Sequence, residues 1–357
     1  MRGGFLLDPE IAYLNHGSYG ACSIPVFEEY QRLQRELERE PTDFFTRRLA
    51  PSLGEQPGTL AQARAALARF VGSSVDDLVF VPNATSALNA AIRSLVLEPG
   101  DEVLTTSHEY GAISRTWEVA GATLVRREPG ELASRIGPRT RAVSVSHITS
   151  PTALVLPVAD ICAAAREAGV LAIVNGAHAP GHVPLELAAL GADVYAGNCH
   201  KWLCAPKGAG FLWVRRELHA TVDPLVISWG HRDGASLAER HDWQGTRDPS
   251  AYLAVPSAIE AHAAFDLERC ETLADAAERR LAERGYARVS GRPAPLMRAV
   301  VLPPGDPDEL GRLLYERFRV EVPVYDWEGH RTLRVSVAPY NDEEDIQRLI
   351  DGLEALL

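Results

Sequence analysis

The stretch DVYAGNCHKWLCAPKGAG, residues 193–210, decides the fold prediction for this chain. It begins with the apolar run DVYAG (193–197) and leads into a second one, GFLWV (210–214). Both runs contain the β-branched and aromatic residues that are typical of buried strands. The polar, glycine-containing segment between them predicts a loop at the edge of a sheet, with Lys201 in its middle.

Strands and helices alternate on the N-terminal side of this loop. The predicted strands are LVFVP (78–82), EVLTT (102–106), ATLVRR (122–127), RAVSVSHI (141–148), LAIVN (171–175), DVYAG and GFLWV. Helical stretches such as SALNAAIRSLVL and PVADICAAAREAG lie between several of them. This order predicts an α/β domain with a mainly parallel, seven-stranded sheet covered by helices. Ligands of such sheets bind at the carboxyl ends of the strands.

The two ends of the chain do not continue this alternation of strands and helices. IPVFEEYQRLQRELER (24–39) predicts an amphipathic helix, and a stretch broken by Pro and Gly (50–58) separates it from a second helix, TLAQARAALARFV. The C-terminal part predicts two long helices (SAYLAVPSAIEAHAAF and LERCETLADAAERRLAERG), strands MRAVVLP, VEVPV and TLRVSV, and helices PDELGRLLYERF and DEEDIQRLIDGLEALL. We therefore expect a segment 1–54 that packs with the small domain and lines the substrate pocket, a large domain 55–247, and a small α+β domain 248–357.

Composition excludes several classes of protein. The net charge of −12 argues against general attraction to nucleic acid or to anionic membranes. The N-terminal sequence has no apolar run long enough for a signal peptide or a membrane span. Five scattered cysteines indicate reduced thiols and a cytoplasmic protein. No metal-ligand spacing occurs, and no GxGxxG follows a strand, so neither a metal site nor a dinucleotide site is indicated.

Lysine is rare in this chain. Of 36 basic Lys and Arg residues, Lys201 and Lys207 are the only lysines. An arginine stays protonated at any physiological pH, whereas a lysine can lose its proton and attack a carbonyl group. A lysine in a sheet-edge loop, next to a histidine and a glycine-rich turn, suits an imine-forming amine near a phosphate, although a solvated surface lysine fits the loop equally well.

Eight runs, one of them within residues 193–210, make the chain recognisable. They are YLNHGSYG (13–20), VPNATSALNAAI (81–92), SHEYGA (107–112), SHITSPTALVLPV (146–158), NGAHAPGHVPL (175–185), GNCHKWLCAPKG (197–208), GTRDPSAYLAVPSAI (245–259) and LRVSVAPYN (333–341). Together they resemble the class V aminotransferase family, in particular its isopenicillin N epimerase-like branch, which includes C–S lyases of ergothioneine and lincosamide pathways. The resemblance implies the fold type I of pyridoxal 5'-phosphate (PLP) enzymes, with PLP held as a Schiff base on Lys201.

The resemblance also implies how the cofactor is held. Ala84 and Thr85, at a helix start, cradle the phosphate, and Tyr110 stacks on the pyridine ring. Further cofactor contacts come from His178 near the phenolic oxygen, from Asn175 near the ring nitrogen, and from His200 at the phosphate. Thr246 reaches the phosphate of a neighbouring subunit, which implies a homodimer with shared active sites. For a small amino-acid substrate, Arg334 grips the α-carboxylate, and Asn15 and His16 line the pocket.

Asn175 departs from the family, which has an aspartate at this position. An aspartate keeps the pyridine nitrogen protonated and so makes the ring an effective electron sink. A charge-assisted hydrogen bond contributes about 1.5–3 kcal/mol, against about 1 kcal/mol for a neutral one. The enzyme therefore either runs chemistry that tolerates a weaker sink, or uses a more reactive carbanion in an unusual reaction, or has impaired activity.

Several functions are compatible with these residues. The first is a lyase that cleaves the Cβ–S bond of a cysteine S-conjugate by β-elimination, in secondary metabolism. The second is an epimerase, or an enzyme that decarboxylates the same substrates to aldehydes. A cysteine desulfurase needs a nucleophilic cysteine in the C-terminal half, where Cys270 lies in a predicted helix as a structural thiol. A non-enzymatic PLP-fold module is disfavoured by Lys201, His200 and Arg334.

Overall fold

A seven-stranded sheet forms the centre of the fold in this computed structural model, which describes residues 2–49 and 58–357. In chain order, the strands of the described residues are β1 Ala12–Tyr13, β2 Leu78–Val81, β3 Glu102–Thr105, β4 Thr123–Arg126, β5 Thr140–Ser146, β6 Leu171–Gly176, β7 Val194–Asn198, β8 Gly210–Val214, β9 Met297–Val301, β10 Val320–Glu321, β11 Val324–Trp327 and β12 His330–Ser336. All seven strands predicted for the large domain are present, and their sheet order is β2-β8-β7-β6-β5-β3-β4.

The helices of the described residues pack around this sheet and around a smaller one. They are α1 His16–Tyr19, α2 Ile24–Arg39, α3 Pro41–Asp43, α4 Thr59–Phe70, α5 Ala84–Arg93, α6 Gly111–Val119, α7 Val158–Glu167, α8 Leu187–Leu190, α9 Leu237–Asp242, α10 Ser250–Leu253, α11 Val255–His262, α12 Leu267–Ala282, α13 Pro307–Phe318 and α14 Glu343–Leu356. A π-helical turn, Phe44–Leu49, follows α3. The predicted bounds of α2 and α13 are confirmed.

Strand β8 runs antiparallel to both of its neighbours, and all other pairs in the large sheet are parallel. Strands β7 and β8 are joined by the loop 199–209 without a crossover helix, so β8 must return along β7. This reversal places Lys201 at the edge where the parallel strands β5, β6 and β7 end. The predicted sheet-edge loop is therefore present.

Both faces of the sheet are buried by helices. On β2, Val79 and Val81 join an apolar cluster that includes residues of α5 and α6, whereas Leu78 and Phe80 join a second cluster that includes residues of α4 and α7. Because successive side chains of a strand point to opposite faces, this alternation shows that helices cover the sheet on both sides.

The C-terminal part of the chain forms a second sheet. Strands β11, β12 and β9 pair antiparallel in this order, and α12, α13 and α14 pack nearby. The N-terminal segment joins this region, because β1 pairs with β10 and the Ser336 N–H donates to the Leu14 carbonyl at 2.9 Å. The boundary expected at 54/55 lies outside the described residues, and the boundary at 247 stays a prediction.

Two predicted elements are broken at prolines. The helix expected over SAYLAVPSAIEAHAAF is wrong as one element, because it is divided into α10 and α11, with Pro256 in the first turn of α11. The strand expected over VEVPV is divided into β10 and β11 at Pro323. Proline lacks the backbone N–H that would continue either ladder. Helices α10 and α11 pack against α2 and α4.

Candidate active site

A cavity of about 610 Å³ opens at the carboxyl ends of the parallel strands. It is lined by Asn15, Ser18, Tyr19, Asn83, Ala84, Thr85, Tyr110, Ile113, Ser146, Ile148, Ser150, Asn175, Ala177, His178, Asn198, His200, Lys201, Glu321, Pro323 and Tyr325. The N-terminal segment, the large sheet and the second sheet all contribute to this wall. The structure therefore brings most of the predicted site residues together around one space.

Lys201 is the amine of this cavity. Its Nζ lies 3.1 Å from His178 Nε2. Burial, followed by the positive charge of Arg334, lowers the pKa of Lys201 to about 7. A large fraction of the amine is therefore neutral near pH 7 and has a lone pair for attack on a carbonyl group.

The hydrogen bonds of His178 determine whether its Nε2 donates to Lys201 or accepts from it. Trp202 Nε1 can only donate, and it donates to His178 Nδ1 at 3.3 Å. Burial holds the pKa of His178 well below its usual value, so the ring is neutral and its one proton is on Nε2. The Nε2–H therefore donates to Lys201 Nζ, which accepts through its lone pair. This arrangement selects the neutral amine.

The start of helix α5 forms the predicted phosphate end of the cavity. Asn83 caps this helix through a 2.8 Å hydrogen bond from the Ser86 N–H to its Oδ1. The Ala84 N–H donates to Asn198 Oδ1 at 2.8 Å, so it is already used inside the protein. Ala84 thus lines the cavity, but the expectation that its N–H binds phosphate does not fit this hydrogen bond, and Thr85 is the better donor at this helix start.

His200 also lines the predicted phosphate end. Its Nδ1–H donates to the Ala209 carbonyl at 3.2 Å, and burial lowers its pKa to about 4. The neutral ring then has no proton on Nε2. A phosphate dianion beside Nε2 would favour the protonated ring, so we expect His200 to bind phosphate as an imidazolium.

Arg334 is a buried cation with neutral partners. Its Nη1 donates to the Ser150 carbonyl at 2.8 Å and to the Ser150 hydroxyl at 3.1 Å, and its Nη2 donates to the Ser18 hydroxyl at 2.9 Å. The guanidinium carbon lies 5.5 Å from the centre of the Tyr325 ring. Arg334 Nε has no partner among the described residues. Arg334 is fully buried and does not itself line the cavity, whereas its partners Ser18 and Ser150 do, and no carboxylate is among these partners. The expectation that Arg334 binds a substrate carboxylate stays a prediction.

The two predicted N-terminal residues have different positions. Asn15 lines the cavity and donates to Glu321 Oε1 at 2.9 Å. His16 is fully buried behind the lysine, where its Nε2 donates to the Lys201 carbonyl at 3.0 Å and its Nδ1 accepts from Tyr340. The expectation that His16 lines the pocket is therefore corrected, because both ring nitrogens are used inside the protein.

Gly20 explains how closely the N-terminal segment approaches the lysine loop. Its φ is +68°, in the left-handed region that favours glycine. A Cβ at this position would collide with the His200 carbonyl and lie close to the Lys201 backbone. The segment that carries Asn15 and His16 is thus packed directly on the loop of the amine.

Tyr110 and Asn175 line the cavity, whereas Thr246 does not. Tyr110 precedes helix α6 and is 48% exposed, which fits a ring that is available for stacking. The Asn175 Nδ2 group donates to Glu109 Oε1 at 2.9 Å. Thr246 is exposed on its own chain and is absent from the cavity wall.

Comparison with known proteins identifies the family. A family model described as aminotransferase class-V matches residues 52–349. The chain belongs to this family. Its relatives include isopenicillin N epimerase of Streptomyces clavuligerus, which is 37% identical over 99% of this chain and 97% of that protein. This likeness confirms the epimerase-like branch that the sequence motifs predict.

Other relatives of this class V protein have names that refer to sulfur chemistry. The putative L-cysteine desulfhydrase 1 of Oryza sativa subsp. japonica is 29% identical over 97% of this chain and 83% of that protein. Among solved structures, a C-DES mutant with glycine covalently linked to its PLP cofactor has a TM-score of 0.83 at 21% identity, covering 99% of this chain and 98% of that one. The predicted fold type I is thereby confirmed.

The cavity residues of this class V enzyme fit PLP. The neutral amine of Lys201 suits the aldehyde of the cofactor, and the start of α5 with Thr85 suits its phosphate. The chain is thus a PLP-dependent enzyme of the class V family.

Some residues of the site were not predicted from the sequence. Asn198, Ser150, Glu321 and Tyr325 line the cavity, and Glu109 lies behind it. Asn198 lies in the quoted run GNCHKWLCAPKG and Glu109 in SHEYGA, so the motifs were available as a signal. Their roles depend on side-chain direction, which the motifs do not give.

Three further features of the described residues concern the cysteines, possible metal ligands and the helices. All five cysteines are unpaired, and burial raises the pKa of Cys270 to about 11, which disfavours a nucleophilic thiolate. Within the described ranges, no group of His, Cys, Asp and Glu is arranged to hold a metal ion. Among residues 2–49 and 58–357, none of the helices combines the length and the apolar character that a membrane span requires.

Proposed function

We propose that this enzyme cleaves the Cβ–S bond of a cysteine S-conjugate by β-elimination. The observation that carries the proposal is that Lys201 lines the same cavity as Ser18 and Ser150, which bind the buried cation Arg334. The lowered pKa of Lys201 supports it. A base and a carboxylate site are what α-proton removal from an amino acid requires. The desulfhydrase and hercynylcysteine sulfoxide lyase names of relatives support sulfur-containing substrates.

The roles of the protein residues follow from their contacts. Arg334 binds the α-carboxylate, and Asn15 and Ser18 hold the guanidinium in place. PLP, when bound, withdraws electrons from Cα. Lys201 takes the α-proton onto Nζ, a Cα–Cβ double bond forms as the Cβ–S bond breaks, and the sulfur leaves with the electron pair of that bond. The proton held on Nζ then converts the departing thiolate to the thiol. Hydrolysis of the remaining three-carbon unit then gives pyruvate and ammonia.

A departing sulfur group fits the Asn175 substitution. Negative charge that develops at Cα passes to the leaving sulfur as the Cβ–S bond breaks. The reaction therefore depends less on charge storage in the ring than a reaction that returns the proton to Cα. Elimination is therefore compatible with an uncharged side chain at residue 175.

Epimerisation at Cα is the second candidate, because the epimerase of Streptomyces clavuligerus is 37% identical over nearly the whole chain. Epimerisation needs a second acid or base besides Lys201. The Glu321 carboxylate lines the same cavity and accepts from Asn15 at 2.9 Å, which makes it the candidate for that role.

We further infer a cytoplasmic homodimer with shared active sites. Thr246 is exposed and does not line its own cavity, as expected of a residue that serves a neighbouring subunit. The segment 225–229 exposes four large apolar side chains, with Trp229 90% exposed, which supports a protein partner for this surface. Five unpaired cysteines fit a reducing compartment.

Product analysis tests the reaction. The holoenzyme is incubated with S-substituted cysteines, and pyruvate and thiol are measured, with Lys201→Ala as the inactive control. Pyruvate and thiol in equal amounts support elimination. Inversion at Cα without pyruvate supports the epimerase, and an aldehyde with carbon dioxide supports decarboxylation. Absence of any product from all tested conjugates rejects the proposed lyase.

A further inference from the structure

Glu109 is a buried carboxylate directly behind the cavity wall, and the proposed reaction does not use it. It is 8% exposed, and its Oε1 accepts from the Tyr110 N–H at 2.8 Å, the Ser146 hydroxyl at 2.8 Å and Asn175 Nδ2 at 2.9 Å. Its Oε2 is buried without a partner among the described residues. Tyr110, Ser146 and Asn175 all line the cavity. One carboxylate thus holds three residues of the wall.

The three donors indicate which form of Glu109 they stabilise. Burial raises the pKa of this carboxyl above its ordinary value, and the hydrogen bonds from Asn175, Tyr110 and Ser146 offset only part of that shift. A proton on Oε2 would have no acceptor there, whereas the negative charge on Oε1 is met by three donors. The arrangement therefore holds a negative charge beside Asn175.

Glu109 also fixes the orientation of the Asn175 amide. The Nδ2 group donates to Glu109 Oε1 and lies 3.4 Å from Ser146 Oγ, while Oδ1 accepts from the Ala177 N–H at 3.2 Å. The reversed amide would place its oxygen against the carboxylate and its NH₂ group against the Ala177 N–H, which is unfavourable at both ends. The hydrogen-bonding position that remains free on the Asn175 amide is a lone pair of Oδ1, which can accept a hydrogen bond.

We propose that Glu109 supplies the negative charge that Asn175 lacks, so that the two residues together keep the ring nitrogen of PLP protonated. Asn175 Oδ1 accepts the ring N–H, because an unprotonated nitrogen would face the amide oxygen lone pair to lone pair. The Glu109 carboxylate, bonded to the other end of the same amide, stabilises the positive ring. This inference rests on the assignment of Asn175 to the ring nitrogen, which belongs to the proposed cofactor contacts.

Glu109 is a positioning residue in this proposal, since it acts through Asn175. Its effect extends to Tyr110, whose backbone N–H donates to the same Oε1. The carboxylate therefore sets the position of the residue expected to stack on the ring as well as the amide expected to face the ring nitrogen. Removing the charge of Glu109 should therefore change the protonation of the ring while the shape of the cavity is retained.

The test is ¹⁵N NMR of holoenzyme loaded with PLP that is ¹⁵N-labelled at the ring nitrogen. The signals of protonated and unprotonated pyridine nitrogens are well separated. We expect a protonated ring at neutral pH in the natural chain, loss of that signal in Glu109→Gln, and its return in the double variant Glu109→Gln/Asn175→Asp. Glu118→Gln, a charge removal on the exposed surface of α6, is the matched control and should leave the signal unchanged.

Several outcomes would overturn the proposal. An unprotonated ring in the natural enzyme rejects it without any variant, even if Glu109→Gln does not fold. A protonated ring in Glu109→Gln shows that the carboxylate is not needed, and an unprotonated ring in the double variant shows that residue 175 does not face the nitrogen. The readout does not depend on any reaction product, so a protonated ring without lyase activity would reject the proposed function alone.

Affinity gives a second, independent measurement. The apoprotein is titrated with PLP and with an analogue in which a C–H group replaces the ring nitrogen. We expect the natural chain to prefer PLP, and we expect Glu109→Gln to reduce that preference about tenfold or more, since a charge-assisted contact is lost. An equal preference in both proteins contradicts the proposal.

Discussion

The lowered pKa of Lys201 leads to a prediction for the rate at which the apoprotein captures PLP. With a pKa of about 7, roughly three quarters of the amine is neutral at about pH 7.5. An ordinary lysine, with a pKa of 10.5, is only about 0.1% neutral at that pH. The reactive fraction therefore differs by a factor on the order of 10³. Because the neutral form attacks, the rate should rise with pH and become level above about 7.

Stopped-flow absorbance of apoprotein mixed with PLP measures this rate. The cofactor has titrating groups of its own, so the rate at each pH is divided by that of Nα-acetyl-lysine amide under the same conditions. This ratio should be constant at low pH and fall about tenfold per pH unit above neutrality. Lys207→Met leaves Lys201 as the one lysine in the chain and should show the same pH dependence of the ratio. Lys201→Met should form no PLP adduct that borohydride can reduce.

The variant Arg334→Met tests what lowers the pKa of Lys201. The positive charge of Arg334 is the second contribution to the lowered pKa of Lys201, after burial. Arg334→Met should therefore move the midpoint of capture to higher pH. A ratio that stays constant from acidic pH to about pH 9.5 would refute the argument, because Lys201 would then titrate like an exposed lysine.

Three more predictions concern the site. Arg334→Met should lower kcat/KM for an amino-acid substrate by roughly 10- to 100-fold, because a charge-assisted hydrogen bond is lost. It should have little effect on kcat/KM for an amine that lacks the carboxylate. Equal losses on both substrates would reject the carboxylate role. Lys201→Ala and Thr246→Asp subunits, each inactive alone, should recover about a quarter of the natural activity when mixed, since mixed dimers retain one intact site; no recovery would contradict the shared site. Cys270→Ser should keep full activity in the product assay, and its inactivation would restore the desulfurase alternative.

The large sheet could be predicted because its strands are buried on both faces. Runs such as LVFVP and GFLWV are apolar throughout, and all residues of β2 and β8 are buried in the structure. The two wrong elements have a common cause. The apolar pattern continues through Pro256 and Pro323, but the backbone hydrogen bonding cannot, because proline has no N–H. The apolar pattern alone does not show this interruption.

The site was predicted less completely than the fold. The rarity of lysine and the position of Lys201 in a sheet-edge loop indicate this residue independently of any resemblance. The other positions depended on motif likeness, which indicates which residues are near the cofactor but not where their side chains point. His16 shows the limit, since it adjoins Asn15 in sequence and yet turns inward to Tyr340 and the Lys201 carbonyl.

Asn175 shows why a single substitution cannot be interpreted from its position alone. Read by itself, the change from aspartate to asparagine removes a charge from the ring nitrogen, and impaired catalysis follows as one explanation. In the folded chain, Glu109 lies 66 residues away in sequence and 2.9 Å away in space. A carboxylate that lies one hydrogen bond behind the amide acts through a dry region, where charges are screened far less than in water. The electrostatic effect of residue 175 is therefore a property of the pair, and only the tertiary structure identifies its second member.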